Sequence, residues 1–247
     1  MFDLTGRVAL VTGAGQSIGA GIANTIAESG AAVAVNDLFA ERAEQTAATI
    51  REAGGNAVAV PFDVTDFEAV AAGVAAAEAA LGPVDLLVNN AGIAQGAGAV
   101  FFRESDPEYW RKWVDVNLFG VMNSCKAVID GMCERGFGRV VTVSSGAGTQ
   151  GLAIGMSAYA AGKGGAISFM RHLALETAGF GVTANTLALG MMENTAGKEM
   201  PEQVRRPNPV GRLGTGRDIG TTVVWLAAEG SWVTGQTIGI NGGSQTS

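Results

Sequence analysis

Tyr159 and Lys163 stand four residues apart in Ser157-Ala-Tyr-Ala-Ala-Gly-Lys163, with Ser144-Ser145 just upstream. On a helix, side chains at i and i+4 share one face. A tyrosine ordinarily ionises near pH 10 and is a poor acid-base at neutral pH. A neighbouring ammonium favours the phenolate, so Lys163 is expected to lower the Tyr159 pKa and make it usable for proton transfer. Any helix can carry such a pair, so the reading depends on what else the chain brings to it. A second group of residues answers a different chemical need. Thr12-Gly-Ala-Gly-Gln-Ser-Ile-Gly19 follows an apolar run and opens a helical one. Glycines there permit a tight turn and close approach of backbone to a pyrophosphate, whose charge a helix N-terminus favours. The strict G-x-G-x-x-G spacing is broken by Ile18. Asp37 lies about 20 residues further on, where a carboxylate can accept from both hydroxyls of an adenosine ribose and repel a 2′-phosphate. That favours NAD over NADP. Neutral Gln16 agrees with it; Arg42 has the opposite sign and is assigned to a helix surface.

These residues need a scaffold, and the apolar pattern supplies one. Strand-like runs at 7–12, 31–36, 57–61, 84–89, 139–144, 182–189 and 237–241 alternate with helical stretches. The helices are expected over 18–29, up to about 53, 67–81, 107–134 with a break near Asp115, and 159–178, with a final one before the last strand. Strands that are apolar throughout, alternating with helices, imply a parallel sheet covered on both faces. Right-handed crossovers then give an α/β, doubly wound sheet of about seven strands. Ligands of such sheets bind outside the carboxyl ends of the strands, where Thr12, Asp37, Asp63, Asn89, Ser144 and Leu189 fall. No composition break divides the chain, so residues 1–247 are expected to form a single domain.

Composition narrows the chemistry. Of 247 residues, 47% are hydrophobic and 16% charged, which suits a folded globular chain. The 37 glycines are dispersed through short turns without a repeat. The formal charge of −7 and the absence of any cluster among 16 basic residues argue against nucleic acid and anionic membranes as partners. No apolar run approaches the roughly 20 residues of a membrane span. Met1 leads directly into a strand-like run rather than a signal peptide, so a cytoplasmic protein is expected. His172 is the sole histidine, which excludes a multi-histidine metal site and disfavours a Ser-His-acid hydrolase; a helix surface or subunit contact is expected for it. Cys125 and Cys133 are spaced as helix neighbours and are each expected as a buried reduced thiol.

Taken together, these motifs resemble the short-chain dehydrogenase/reductase family over essentially the whole chain. The family loop Thr-Gly-x-x-x-Gly-x-Gly maps onto Thr12 to Gly19, and Asn-Asn-Ala-Gly onto Asn89-Asn90-Ala91-Gly92. The helix asparagine maps onto Asn117, the serine onto Ser145, and Tyr-x-x-x-Lys onto Tyr159 and Lys163. The tail segments 211–218 and 234–243 also resemble the family. The resemblance implies a Rossmann-type fold and hydride transfer between a nicotinamide and a secondary alcohol or ketone. It implies Tyr159 as the acid-base, Lys163 as its modulator and a ribose ligand, Ser145 as donor to the substrate oxygen, and Asn117 as holder of a water in a proton path. Gly13, Gln16, Ser17, Ile18 and Gly19 would line the pyrophosphate, Asp63 and Val64 the adenine, Asn89, Ala91 and Gly92 the cofactor ribose, and Gly190 the nicotinamide. A homotetramer is likewise implied.

Several positions depart from the family pattern. Ser17 replaces the middle loop glycine, where its Cβ would crowd the pyrophosphate or its hydroxyl would donate to it; donation is preferred. Leu189-Gly190 replaces Pro-Gly after the sixth strand, with Gly190 keeping close backbone approach possible. The interval from Ser145 to Tyr159 is one residue longer than the family's, and Thr195 is an approximate match for a carboxamide contact. Phe101, Phe102, Leu152, Met156, Met191 and Met192 lie on loops that could line an apolar substrate pocket or fill gaps between loops or subunits. The leading reading is an NAD-dependent alcohol dehydrogenase or carbonyl reductase. A 3-oxoacyl thioester reductase is the alternative within the enzyme class, and a non-catalytic nucleotide-binding regulator on the same fold the alternative outside it.

Overall fold

Within the computed structural model, residues 2–93, 99–193, 208–228 and 232–246 are described. Seven strands, β1 (Val8–Val11), β2 (Ala32–Val35), β3 (Ala57–Ala59), β4 (Leu86–Asn89), β5 (Gly138–Ser145), β6 (Val182–Leu189) and β7 (Thr237–Ile240), form one sheet in the order 3-2-1-4-5-6-7. Every pairing is parallel. The order reverses between β1 and β4, which places a crevice at that point of the strands' carboxyl edge.

The uninterrupted apolar strands have a direct cause. Ala9 and Val11 pack with Ile22 and Ile26 of α1 (Ser17–Glu28), Ala43 and Ala47 of α2 (Ala40–Glu52), and Ile219 and Val223 of α7 (Gly216–Ala227). Val8 and Leu10 face the other way. They join Val70 and Val74 of α3 (Phe67–Leu81), Val121 and Val128 of α5 (Gly120–Arg135), and Ala166 and Met170 of α6 (Ser157–Thr177). Strand side chains alternate between faces, so a sheet sandwiched between two helical layers must be apolar at both parities. The doubly wound Rossmann-type expectation holds.

The long helical region is broken at the expected place. Asp106 caps α4 (Pro107–Val114) by accepting from Tyr109 N at 2.8 Å, with Pro107 in the first turn. Asp115–Phe119 then winds as one π-helical turn, closed by Gly120 N donating to Asp115 O, before α5 continues. Such turns insert a residue into a helix and are frequent at functional sites. Among the described residues, no helix is long and apolar enough to cross a membrane.

Candidate active site

A cavity of about 560 Å³ opens along the carboxyl edge of the sheet. Its walls come from the segments that leave β1 to β6 and from the first turns of α6. Gly13, Gln16, Ser17, Ile18 and Gly19 line it after β1, and Asp37 after β2. Asp63 and Val64 line it after β3, Ala91 and Gly92 after β4, and Ser145, Tyr159, Lys163 and Gly190 line it beyond them. The residues singled out by the sequence therefore converge, with two exceptions.

The first exception is Asn89, which does not line the cavity. As the last residue of β4 it points into the layer beneath. Its Nδ2 donates to Thr142 Oγ1 at 3.1 Å and Cys125 Sγ at 3.4 Å. Its neighbour Asn90 lines the cavity instead, donating to Thr12 O at 3.1 Å and Gly13 O at 2.9 Å. The cavity-lining member of the pair is thus Asn90 rather than Asn89, because strand parity sends consecutive side chains opposite ways. The second exception is Asn117, which is wholly buried behind the wall within the π turn. Its Nδ2 donates to Trp113 O at 2.9 Å, and its Oδ1 has no partner among the described residues. That oxygen is aimed at Gly92, where an added Cβ would lie 2.9 Å from Asn117 Oδ1 and 3.2 Å from Lys163 Nζ. A buried acceptor without a donor is costly.

Tyr159 and Lys163 are both buried, on the face of α6 that meets β5. Lys163 Nζ donates to Val143 O at 2.8 Å, and Ser144 Oγ donates to Lys163 O at 3.1 Å. Ser144 therefore fastens the helix to the strand. The Ser145 hydroxyl bonds to that of Tyr159 and also accepts from Ala147 N at 3.2 Å. Burial pushes the Lys163 ammonium down to about 8. Burial also raises the Tyr159 phenol, with only the Ser145 hydrogen bond opposing it. This corrects the expectation that Lys163 lowers the Tyr159 pKa. Enclosure of the ring dominates, and the ammonium is engaged by the Val143 carbonyl.

At the other end, Asp37 is buried, with Oδ2 accepting from Gly15 N at 3.1 Å and Oδ1 from Phe39 N at 3.1 Å. These amides hold the carboxylate at the end of β2. Asn36, which the sequence reading passed over, binds three loops together. It accepts from Gly13 N at 3.3 Å and donates to Val60 O and Phe62 O, each at 3.1 Å. A polar residue closing an apolar strand was its only signal. Asp63 spends its Oδ1 on Thr65 N and Thr65 Oγ1. Arg42 is exposed on α2 as expected, yet it also lines the cavity, its guanidinium 4.4 Å from the centre of the Phe39 ring. Lys112 and Asp115, also unforeseen, line the cavity too. Ser17 has φ +54°, the only positive φ of a non-glycine residue among those described. At Gly13 (φ +60°) a Cβ would meet Ala91 Cα at 2.7 Å, so this glycine serves the approach of two chain segments.

The expected substrate lining is largely displaced. Phe101, Phe102 and Leu152 are exposed and Met156 is buried beside Tyr159, none of them in the cavity wall. Phe102 stacks on Trp110 at 5.1 Å instead. Met192 does line the cavity, from a bridge with Gly214, whereas Met191 does not. Thr195 lies outside the described residues. His172 is exposed on α6. Cys125 is a buried free thiol, pushed up to about 12 by burial. Cys133 is only half-buried, because its helix face lies nearer the surface.

Comparisons with known proteins agree with this geometry. The family model for short chain dehydrogenase matches residues 7–205. The chain is 39% identical over 246 residues to the acetoacetyl-CoA reductase of Rhizobium meliloti (strain 1021), covering 96% of this chain and 98% of that one. It is 38% identical over 247 residues to the 3-oxoacyl-[acyl-carrier-protein] reductase of Vibrio harveyi, covering 98% of each. A crystal structure of a 3-oxoacyl-[acyl-carrier protein] reductase with bound NAD from Brucella melitensis superposes with a TM-score of 0.90 at 34% identity, covering 99% of this chain and 93% of that one. The chain belongs to the short-chain dehydrogenase/reductase family of oxidoreductases.

Proposed function

We propose that the protein is a nicotinamide-dependent carbonyl reductase whose substrate is a 3-oxoacyl thioester. The carrying observation is the near full-length likeness to two reductases of that substrate class, at 38% and 39% identity. The thioester reading, the alternative within the enzyme class, is thereby favoured over a general secondary-alcohol dehydrogenase. NAD is the proposed cofactor. What supports it is the Asp37 carboxylate fixed at the end of β2, whose charge would oppose a 2′-phosphate, and a structural relative that holds NAD.

The residues fit such a cofactor. The unpartnered Asn117 Oδ1 and the Lys163 ammonium meet at Gly92, where a Cβ would intrude. Gly13, Gln16, Ser17, Ile18 and Gly19, at the start of α1, would hold the pyrophosphate. Asp37 would hold the adenosine ribose, Asp63 and Val64 the adenine, Asn90, Ala91 and Gly92 the second ribose, and Gly190 the nicotinamide. A bound reduced nicotinamide supplies the hydride. Ser145 donates to the ketone oxygen and stabilises charge developing there. Tyr159 gives that oxygen its proton, and its raised pKa keeps the phenol protonated and ready. The phenolate left behind is reprotonated from solvent by way of Lys163 and a water held by Asn117 Oδ1. The balance is a ketone, a hydride and a proton in, a secondary alcohol out. A homotetramer is proposed on family likeness alone.

The test follows loss of reduced-nicotinamide absorbance with an acetoacetyl thioester and with simple ketones, each with NADH and NADPH. Reduction of the thioester with NADH, at a kcat/KM about tenfold or more above that of a simple ketone, is expected. Measurable NAD binding without turnover of any carbonyl would replace the enzyme by the nucleotide-binding regulator.

A further inference from the structure

The ring of Tyr159 is not anchored in either main core. It belongs to a small separate cluster whose buried members are Trp113, Ala147, Met156 and Tyr159. Ala147 and Met156 come from the stretch between β5 and α6, and Tyr159 from the first turn of α6. Trp113, from the last turn of α4, is the only buried member contributed by another part of the chain. Its indole meets Tyr159 edge to face, with centroids 5.7 Å apart and planes at 84°, a geometry that aromatic pairs favour. On its other side Tyr109 makes a second such contact at 5.8 Å and 60°.

Trp113 also faces the proton path. Its carbonyl oxygen accepts from Asn117 Nδ2 at 2.9 Å. Gly162 lets α6 approach this point, since a Cβ there would sit 2.9 Å from Trp113 O and 3.0 Å from Asn117 Cβ. One residue thus touches the phenol ring through its side chain and the buried asparagine through its backbone. The indole Nε1 has no hydrogen-bond partner among the described residues. Stability alone would be served as well by an aromatic ring lacking that donor.

The geometry points to Trp113 as a positioning residue: its aromatic edge holds the Tyr159 ring at the angle from which the hydroxyl reaches Ser145 and the substrate oxygen. This rests on the reductase reading, in which Tyr159 delivers the proton. The charged groups around the ring are Lys163 on its own helix, and Lys112 and Asp115 from α4 and the π turn, all of which line the cavity. Among the described residues, the hydroxyl-bearing groups beside the cluster include Ser145 at the end of β5 and Tyr109 on α4. Trp113 acts among them by shape and by excluding water.

The chain has only two tyrosines, so in a Tyr109→Phe background the tyrosinate absorbance titrates Tyr159 alone. Into that background Trp113→Phe and Trp113→Met are introduced, both apolar and both able to fill the space. Phenylalanine keeps a rigid edge, and a flexible methionine does not. For Trp113→Met, Tyr159 is expected to titrate about one pH unit lower, because water reaches the ring. Its kcat is expected to fall about 10- to 100-fold, with KM for thioester and NADH within about twofold. The alkaline limb of the reduction profile moves down with the titration. Trp113→Phe keeps the parent's titration and kcat. Parent-like titration and kcat in both variants would overturn the proposal, as would an equal loss in both. A parent that reduces no carbonyl yet shows the shift in Trp113→Met would sink the reductase reading while retaining the ring contact.

Discussion

Lys163→Met is expected to change the way stability depends on pH, in a direction that can be worked out. The Lys163 ammonium is buried on α6 and sits at about 8, against an ordinary lysine value of 10.5. Its folded value is depressed, so between those two pH values the unfolded chain holds a proton that the native chain has lost. Stability therefore rises with pH across that window, and the gain is absent below pH 8, where both states are protonated. From 10.5 to about 8, at about 1.36 kcal/mol per tenfold change in proton affinity, the gain is about 3 kcal/mol. Methionine has no titrating group. The stability of the natural chain minus that of Lys163→Met should thus climb by about 3 kcal/mol from pH 7 to pH 11. The assay is guanidinium unfolding of both chains across that range. Tyr159 and Cys125, whose pKa values burial raises, pull stability the other way at alkaline pH. Both chains contain them, so the difference removes their effect. A difference that changes by less than about 1 kcal/mol would refute the view that Lys163 is held in a charge-disfavouring site.

Three further outcomes are expected. Ser17→Gly removes a left-handed conformation that costs a residue with a Cβ about 1–2 kcal/mol, partly offset by the freedom glycine gains when unfolded, so Tm should rise by about 1–3 °C; a lower Tm would show that Ser17 is not strained. Gly92→Ala puts a Cβ 2.9 Å from Asn117 Oδ1, and kcat should fall about 10- to 100-fold while thermal stability stays near that of the natural chain. Unchanged kcat in steady-state kinetics would remove Gly92 from the proton path. Asp37→Ala strips Gly15 N and Phe39 N of their acceptor, and NAD affinity by fluorescence titration should weaken about tenfold, with NADP affinity weakening less or improving. Equal weakening for both cofactors would remove Asp37 as the discriminating group.

The layers of this fold were legible because strands covered on both faces carry apolar residues at every position. The bounds expected for α3 (67–81) and β6 (182–189) coincide with those observed, the former helped by Asp66, whose side chain caps the helix. The convergence of Asp37, Ser145, Tyr159 and Lys163 was legible too, since carboxyl ends of parallel strands share one edge. What escaped depends on contacts between distant segments. Asn89-Asn90 offers two identical side chains, and only the depth of β4 in the sheet decides which one reaches the cavity. The Lys163 contact with Val143 O spans two elements, so a spacing rule within α6 could not reveal that the ammonium is committed elsewhere. The break near Asp115 was visible as a loss of period. That it is a π turn, and that Trp113 just before it meets Tyr159, belongs to packing between α4 and α6.

That single turn is one residue longer than the α-helical turn it replaces. Each α-helical residue carries about 100° of rotation, so four of them sweep about as far as the wider π turn does with one residue more. Deleting one residue within 115–119 would therefore let the backbone relax to a regular α-helix while α4 and α5 kept nearly the same facing, Trp113 still toward α6. What would be lost is the bulge itself, and with it the place of Asn117, whose Oδ1 is the buried acceptor without a partner among the described residues. The extra residue re-aims one side chain and leaves the helical faces on either side of it in place.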